Sequence, residues 1–148
     1  ESPETVAELL NGGIIDIAQL HGDEDETYIQ CLRGFAAKPV IQAFRIEREQ
    51  DVLDAQNSIA DFVLLDSGRG GTGTVFDWEL LKTITRPYFL AGGLTVDNAG
   101  KAVKMLKPYA VDVSSGIETD GQKDKTKMAA FVAATKRVVH PCWMNHPE

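Results

Sequence analysis

Asp66 closes the apolar run Phe62–Leu65 and opens onto "SGRGGTG", where four glycines fall within the six positions from Gly68 to Gly73. A carboxylate at the end of a buried run is partly desolvated, which raises its pKa and suits it to proton donation. The bland use of the same residue is a helix cap or a loop hydrogen bond. The glycine loop is not GxGxxG, and no Gly-Lys-Ser/Thr follows it. Neither a dinucleotide fingerprint nor a P-loop is therefore present. Gly71 and Gly73 belong to a candidate loop over a ligand, against the plainer reading of a flexible connection.

Two further segments carry chemistry. "AGGL" (Ala91 to Leu94) and "SSG" (Ser114 to Gly116) each end an apolar run and precede helical sequence. Glycines let the backbone approach an anion, and free amides at helix starts bind phosphate oxygens. Ser114 and Ser115 add hydroxyl donors. Gly92, Gly93, Ser114, Ser115 and Gly116 are thus candidate phosphate-binding residues, with tight turns as the alternative. His21 closes "AQLHG" and Arg45 closes "QAFR"; each faces a ligand or serves packing or a neighbouring acid. Asp112 lies between Val111 and Val113, where a charge needs a partner or a place on the rim of a site. His21, His140 and His146 form no zinc spacing, and Cys31 and Cys142 form no CxxC. No metal site is expected, and the two cysteines read as free thiols of a reducing, cytoplasmic compartment.

The elements that must position these residues follow from hydrophobic spacing. Apolar runs at Ile14–His21, Pro39–Phe44, Phe62–Asp66, Tyr88–Gly93 and Ala110–Gly116 alternate with amphipathic segments. These segments include "SPETVAELLN", "DETYIQCLRGF", "EREQDVLDAQN", "FDWELLKTI" with Asp77 as its N-cap, "TVDNAGKAVKML" and "DKTKMAAFVAATKRVV". Strand and helix in alternation predict βα units and a parallel sheet, with ligands at the C-terminal strand ends. The candidate residues fall at those ends. Five units fit an open doubly wound sheet or part of a barrel, and composition does not decide between them. One domain is expected over residues 1–139, with a tail at 140–148 once Pro141 has stopped the last helix.

A net charge of -7 disfavours non-specific nucleic-acid binding. No apolar run is long enough to span a membrane. The start, "ESPETVAELL", is acidic, lacks a methionine and puts a helix before any strand, which suggests that the strand belonging to it was lost.

Taken jointly, "AQLHGDE", "VIQAFR", "LLDSGRGGTGTVFDWELL", "LAGGLTVDN" and "VDVSSGIETDGQKD" resemble phosphoribosylanthranilate isomerase of tryptophan biosynthesis, from about Ile17 to Val138. The resemblance implies an α/β chain of the parallel (β/α)8 TIM-barrel family, here an incomplete barrel of about five βα units. It implies an Amadori rearrangement of N-(5′-phosphoribosyl)anthranilate without metal or organic cofactor, on a small phosphorylated substrate. Asp66 resembles the general acid that protonates the furanose oxygen. Gly92, Gly93, Ser114, Ser115 and Gly116 match the phosphate turns, Asp112 an acid near the substrate, and Gly71 and Gly73 a loop flanking the site. The cysteine-bearing segment that supplies the family's general base has no counterpart in these motifs. The expectation is therefore a C-terminal portion covering strands four to eight, with little or no isomerase activity by itself. Its exposed barrel edges would invite self-association. The alternatives are a related isomerase of histidine biosynthesis and a non-catalytic phosphate-binding or assembly domain.

Overall fold

The computed structural model describes residues 1–66 and 78–136. Gly71, Gly73, Asp77 and the tail at 140–148 lie outside them. Among the described residues five helices and five parallel strands follow in the order α1 (Pro3–Asn11), β1 (Ala18–Leu20), α2 (Glu26–Phe35), β2 (Val40–Arg45), α3 (Glu49–Asn57), β3 (Phe62–Asp66), β4 (Tyr88–Ala91), α4 (Val96–Leu106), β5 (Ala110–Val111) and α5 (Lys125–Lys136). Between β5 and α5 stands a small antiparallel hairpin, β6 (Glu118–Thr119) and β7 (Gln122–Lys123).

The strand order is β1-β2-β3-β4-β5, so each neighbour in sequence is a neighbour in space. A doubly wound sheet reverses its order at a switch point; a barrel winds in one direction. The observed order is the barrel's. The fold is an incomplete (β/α) barrel, as the resemblance implied.

Local chemistry explains where the helices begin. Ser2 caps α1, its Oγ accepting from the Thr5 amide, and Pro3 occupies the first turn, where its missing N–H costs nothing. Asp25 caps α2 by accepting from the Tyr28 amide at 2.9 Å. Asp124 caps α5, accepting from the amides of Thr126 (2.8 Å) and Lys127 (3.2 Å).

Side chains alternate across the sheet, and each face has its own core. On the outer face Val63, Leu65 and Leu90 pack against Val52 and Ala55 of α3, Ala99 and Ala102 of α4, and Phe131 of α5. Leu65 and Leu90 are fully buried, and each contributes about 2 kcal/mol by that burial. A second cluster joins Ala7 and Leu10 of α1 and Ile29 and Leu32 of α2 to Ala18, Leu20 and Val40. On the inner face Ile41, Leu64 and Ala91 pack with Ala43, Phe62 and Phe89. The rings of Phe62, Phe89 and Tyr109 lie 5.7 to 5.9 Å apart at the N-terminal end of this face.

Three expected elements differ. The first strand is Ala18–Leu20 rather than Ile14–His21, because Ile14 is 72% exposed and precedes the sheet. The helix expected at "FDWELLKTI" is a single 3-10 turn at Leu80–Thr83. The last apolar run pairs only at Ala110 and Val111; Ser115–Ile117 forms a 3-10 turn instead. Among the described residues no helix is long and apolar enough to cross a membrane.

Candidate active site

Register assembles the C-terminal rim. Ile41, Ala43 and Arg45 of β2 align with Phe62, Leu64 and Asp66 of β3; Leu64 and Asp66 align in turn with Phe89 and Ala91 of β4. Strand alternation puts all of these on the inner face. Asp66 is the last of its row, half-buried, between Arg45 and Ala91. Arg45 is exposed and forms an ion pair with Glu47, Nε to Oε1, at 2.9 Å. A neighbouring acid is thus among the partners of Arg45. His21 is exposed just beyond β1, and Gly22 after it donates its amide to Glu24 Oε2 at 2.7 Å.

The turn after β4 is built around two left-handed residues, Gly92 (φ 81°) and Gly93 (φ 60°). Glycine suits both because a side chain is strained there. Asn98, in the first turn of α4, holds this turn from beneath. Its Nδ2 donates to the Gly93 carbonyl at 2.9 Å, and its Oδ1 accepts from the Thr95 amide at 2.8 Å. The near-fit to a capping box at Thr95 and Asn98 is thus completed by an amide side chain in place of the usual acid.

Asp112 extends the next ladder one step, donating its amide to the Leu90 carbonyl at 2.8 Å. Its position continues the row of inner-face residues, and it is exposed. Ser114, Ser115 and Gly116 follow, the serines exposed and Gly116 partly covered by the backbone of Leu94 and Thr95. The turns after β4 and β5 are therefore in direct contact. Behind them a cavity of about 450 Å³ opens between the starts of α4 and α5, lined by Thr95, Ser115, Gly116, Glu118 and Lys127 among others.

The structure thus brings Asp66, Gly92, Gly93, Asp112, Ser114, Ser115 and Gly116 to one rim. His21 and Arg45 stand at its β1 and β2 end. Gly71 and Gly73 lie outside the described residues. Two residues escaped sequence reasoning. Asn98 was legible only as an incomplete cap. Lys123 donates to Ser114 from the hairpin, whose signal was the Asp120-Gly121 pair between two short extended runs. Among the described residues no group of His, Cys, Asp and Glu could hold a metal ion.

The family model for N-(5′-phosphoribosyl)anthranilate isomerase matches residues 1–134. The isomerase of Endomicrobium trichonymphae is 46% identical over 133 residues, 87% of this chain and 65% of its own length. That of Clostridium acetobutylicum is 43% identical, covering 93% of this chain and 69% of its own. The solved isomerase of Thermotoga maritima superposes with a TM-score of 0.79 at 32% identity, over 93% of this chain and 69% of that one. Another solved isomerase, in complex with reduced 1-(o-carboxyphenylamino)-1-deoxyribulose 5-phosphate, gives a TM-score of 0.76 at 30% identity, over 93% and 68%. This chain thus spans about two thirds of the length of these relatives.

These matches correct two expectations. The likeness is not confined to a C-terminal portion beginning near Ile17: it starts at residue 1 and takes in α1. The resemblance rests on rim motifs, and α1 holds none, so α1 was read as a helix but not counted in the likeness. The expectation of an inactive chain is also corrected: 93% of it, α1 included, aligns with the isomerases of Clostridium acetobutylicum and Thermotoga maritima, over 69% of the length of each. The matched family is the anthranilate one, not the histidine-pathway isomerase held as an alternative. From its first helix to its last, the chain belongs to the N-(5′-phosphoribosyl)anthranilate isomerase family.

Proposed function

We propose that this protein isomerises N-(5′-phosphoribosyl)anthranilate to 1-(2-carboxyphenylamino)-1-deoxyribulose 5-phosphate. Asp66 delivers a proton to the furanose ring oxygen and the ring opens to an iminium; a general base takes the C2′ proton, and the resulting enolamine ketonises to complete the rearrangement. The 5′-phosphate sits against the turns at Gly92–Gly93 and Ser114–Gly116, with Asp112 beside the substrate. His21 and Arg45 face the substrate from the other side of the rim. The observation that carries the reading is the place of Asp66, half-buried at the end of the inner-face row and one strand from the paired turns. A phosphate held at those turns fixes the ribose, and a fixed reacting group is what makes a single positioned acid effective.

The same reading includes a cytoplasmic setting, in keeping with the free thiol of Cys31, and no contact with nucleic acid or membrane. Self-association is part of it. Among the described residues β1 and β5 each pair on one side only, and such edges accept strands. The deciding experiment follows anthranilate-fluorescence decay on addition of the purified protein to N-(5′-phosphoribosyl)anthranilate. Decay that requires Asp66 supports the proposal, and decay indifferent to it removes the assignment. Sedimentation over a range of concentrations tests the edges.

A further inference from the structure

The turn after β5 is held from outside. Ser114 has φ −117° and ψ −84°, neither helical nor extended. Lys123, nine residues on, reaches back to it. Its Nζ donates to the Ser114 carbonyl at 2.9 Å, to Ser114 Oγ at 3.3 Å and to Glu118 Oε1 at 2.7 Å. All three N–H groups of the ammonium are thereby used, in charge-assisted bonds.

The hairpin that carries Lys123 is itself anchored. Asp120 (φ 52°) and Gly121 (φ 75°) make its tight turn. Lys127 Nζ donates to the Glu118 carbonyl at 2.6 Å. Thr119 Oγ1 donates to Asp124 Oδ2 at 2.8 Å, and Asp124 caps α5 with its other oxygen.

Two consequences follow for Ser114. An ammonium has no lone pair, so Ser114 Oγ must accept from it, and the hydroxyl hydrogen points elsewhere. Ser114 is left with its one donor turned away from the lysine, which is the polarity an anion requires. The Ser114 carbonyl, whose negative end would repel an anion, is tied down on the cation.

We infer that Lys123 is a positioning residue for the substrate phosphate, acting through Ser114 without touching the phosphate itself. The inference rests on the reading of this turn as a phosphate site. The competing account is a surface ion pair with Glu118, of a kind that contributes little.

Inorganic phosphate titrated into the protein and followed by phosphorus NMR separates the two. Lys123→Met is expected to weaken phosphate binding about tenfold, the scale of one charge-assisted bond, without moving the thermal midpoint by more than a few degrees. Lys123→Arg, which keeps a cation there, is expected to restore most of the affinity. Lys125→Met removes the same charge from an exposed site two residues along and is expected to bind like wild type. In a Ser114→Ala background the effect of Lys123→Met should shrink, since the two act as one unit. Wild-type affinity in Lys123→Met overturns the inference and leaves the phosphate site standing. An equal loss in Lys125→Met, or strictly additive losses with Ser114→Ala, overturns it as well. Absence of phosphate binding in the wild type overturns the site reading and the inference together.

Discussion

Gly116 stands directly against the backbone of Leu94: a Cβ built on it would lie 1.8 Å from the Leu94 carbonyl oxygen and 3.1 Å from Thr95 Cα. Neither neighbour is a side chain that can rotate away. Gly116→Ala must therefore push the two rim turns apart. We expect a loss of about 2 kcal/mol or more in urea unfolding, typical of overpacking without room to relax, and a fall in phosphate affinity. A variant with a wild-type urea midpoint would mean that the turns are not in contact.

Asp66→Asn keeps the size of the side chain and removes its titratable proton. Turnover of N-(5′-phosphoribosyl)anthranilate is expected to drop by about 10²- to 10⁴-fold, the usual worth of a positioned general acid. Affinity for inorganic phosphate should be unchanged, since the phosphate turns belong to other strands. Titration of phosphate beside the rate assay distinguishes loss of chemistry from loss of binding.

Arg86 shows what holds the far end of the barrel. Its Nη1 donates to the carbonyls of Ala55 (3.2 Å) and Ser58 (2.6 Å), and its Nη2 to that of Ala60. These close the segment that leads from α3 into β3. Burial lowers its pKa from the ordinary guanidinium value, with Asp61 opposing that effect. Arg86→Met takes the guanidinium donors from three carbonyls, of which that of Ala55 keeps the Ser58 amide, and should cost about 2 kcal/mol in unfolding free energy. Phosphate binding, at the opposite rim, should stay as it is.

Tyr88 predicts an alkaline limit. It lies in the outer core, its hydroxyl donating to the Leu106 carbonyl at 3.0 Å. Burial pushes its pKa up from 10.0 to about 12. Between those values the unfolded chain releases the proton and the folded one keeps it, so stability falls as pH rises. The contribution is fully present below pH 10 and is lost by about pH 12. Thermal midpoints recorded across that range should fall more steeply for wild type than for Tyr88→Phe. Parallel slopes would show that the phenol is not what titrates.

The strand pattern was legible because parallel strands covered on both faces read as apolar runs. Phe62–Asp66 emerged with its observed bounds, and β2 was displaced by a single residue. The run at Ile14 misled for the opposite reason: Ile14 and Ile17 are apolar but exposed, and spacing does not distinguish the two. The site was legible where one residue sufficed, as with Asp66 at a strand end or a glycine pair at a turn. It was not legible where a side chain reaches across space. Asn98 braces Gly93 from five residues away and Lys123 braces Ser114 from nine, and neither bond is implied by the residue type. Tertiary placement made those contacts.

The five-residue ladder between β2 and β3 has an evolutionary corollary. Arg45 and Asp66 share a face only while the two strands keep their alignment; one inserted residue within either strand would turn its later side chains to the other face. Gains and losses of residues should then accumulate in the connections at the strands' N-terminal ends. Length inside β2 and β3 should be almost invariant across the lineage, even where the identity of the buried side chains drifts.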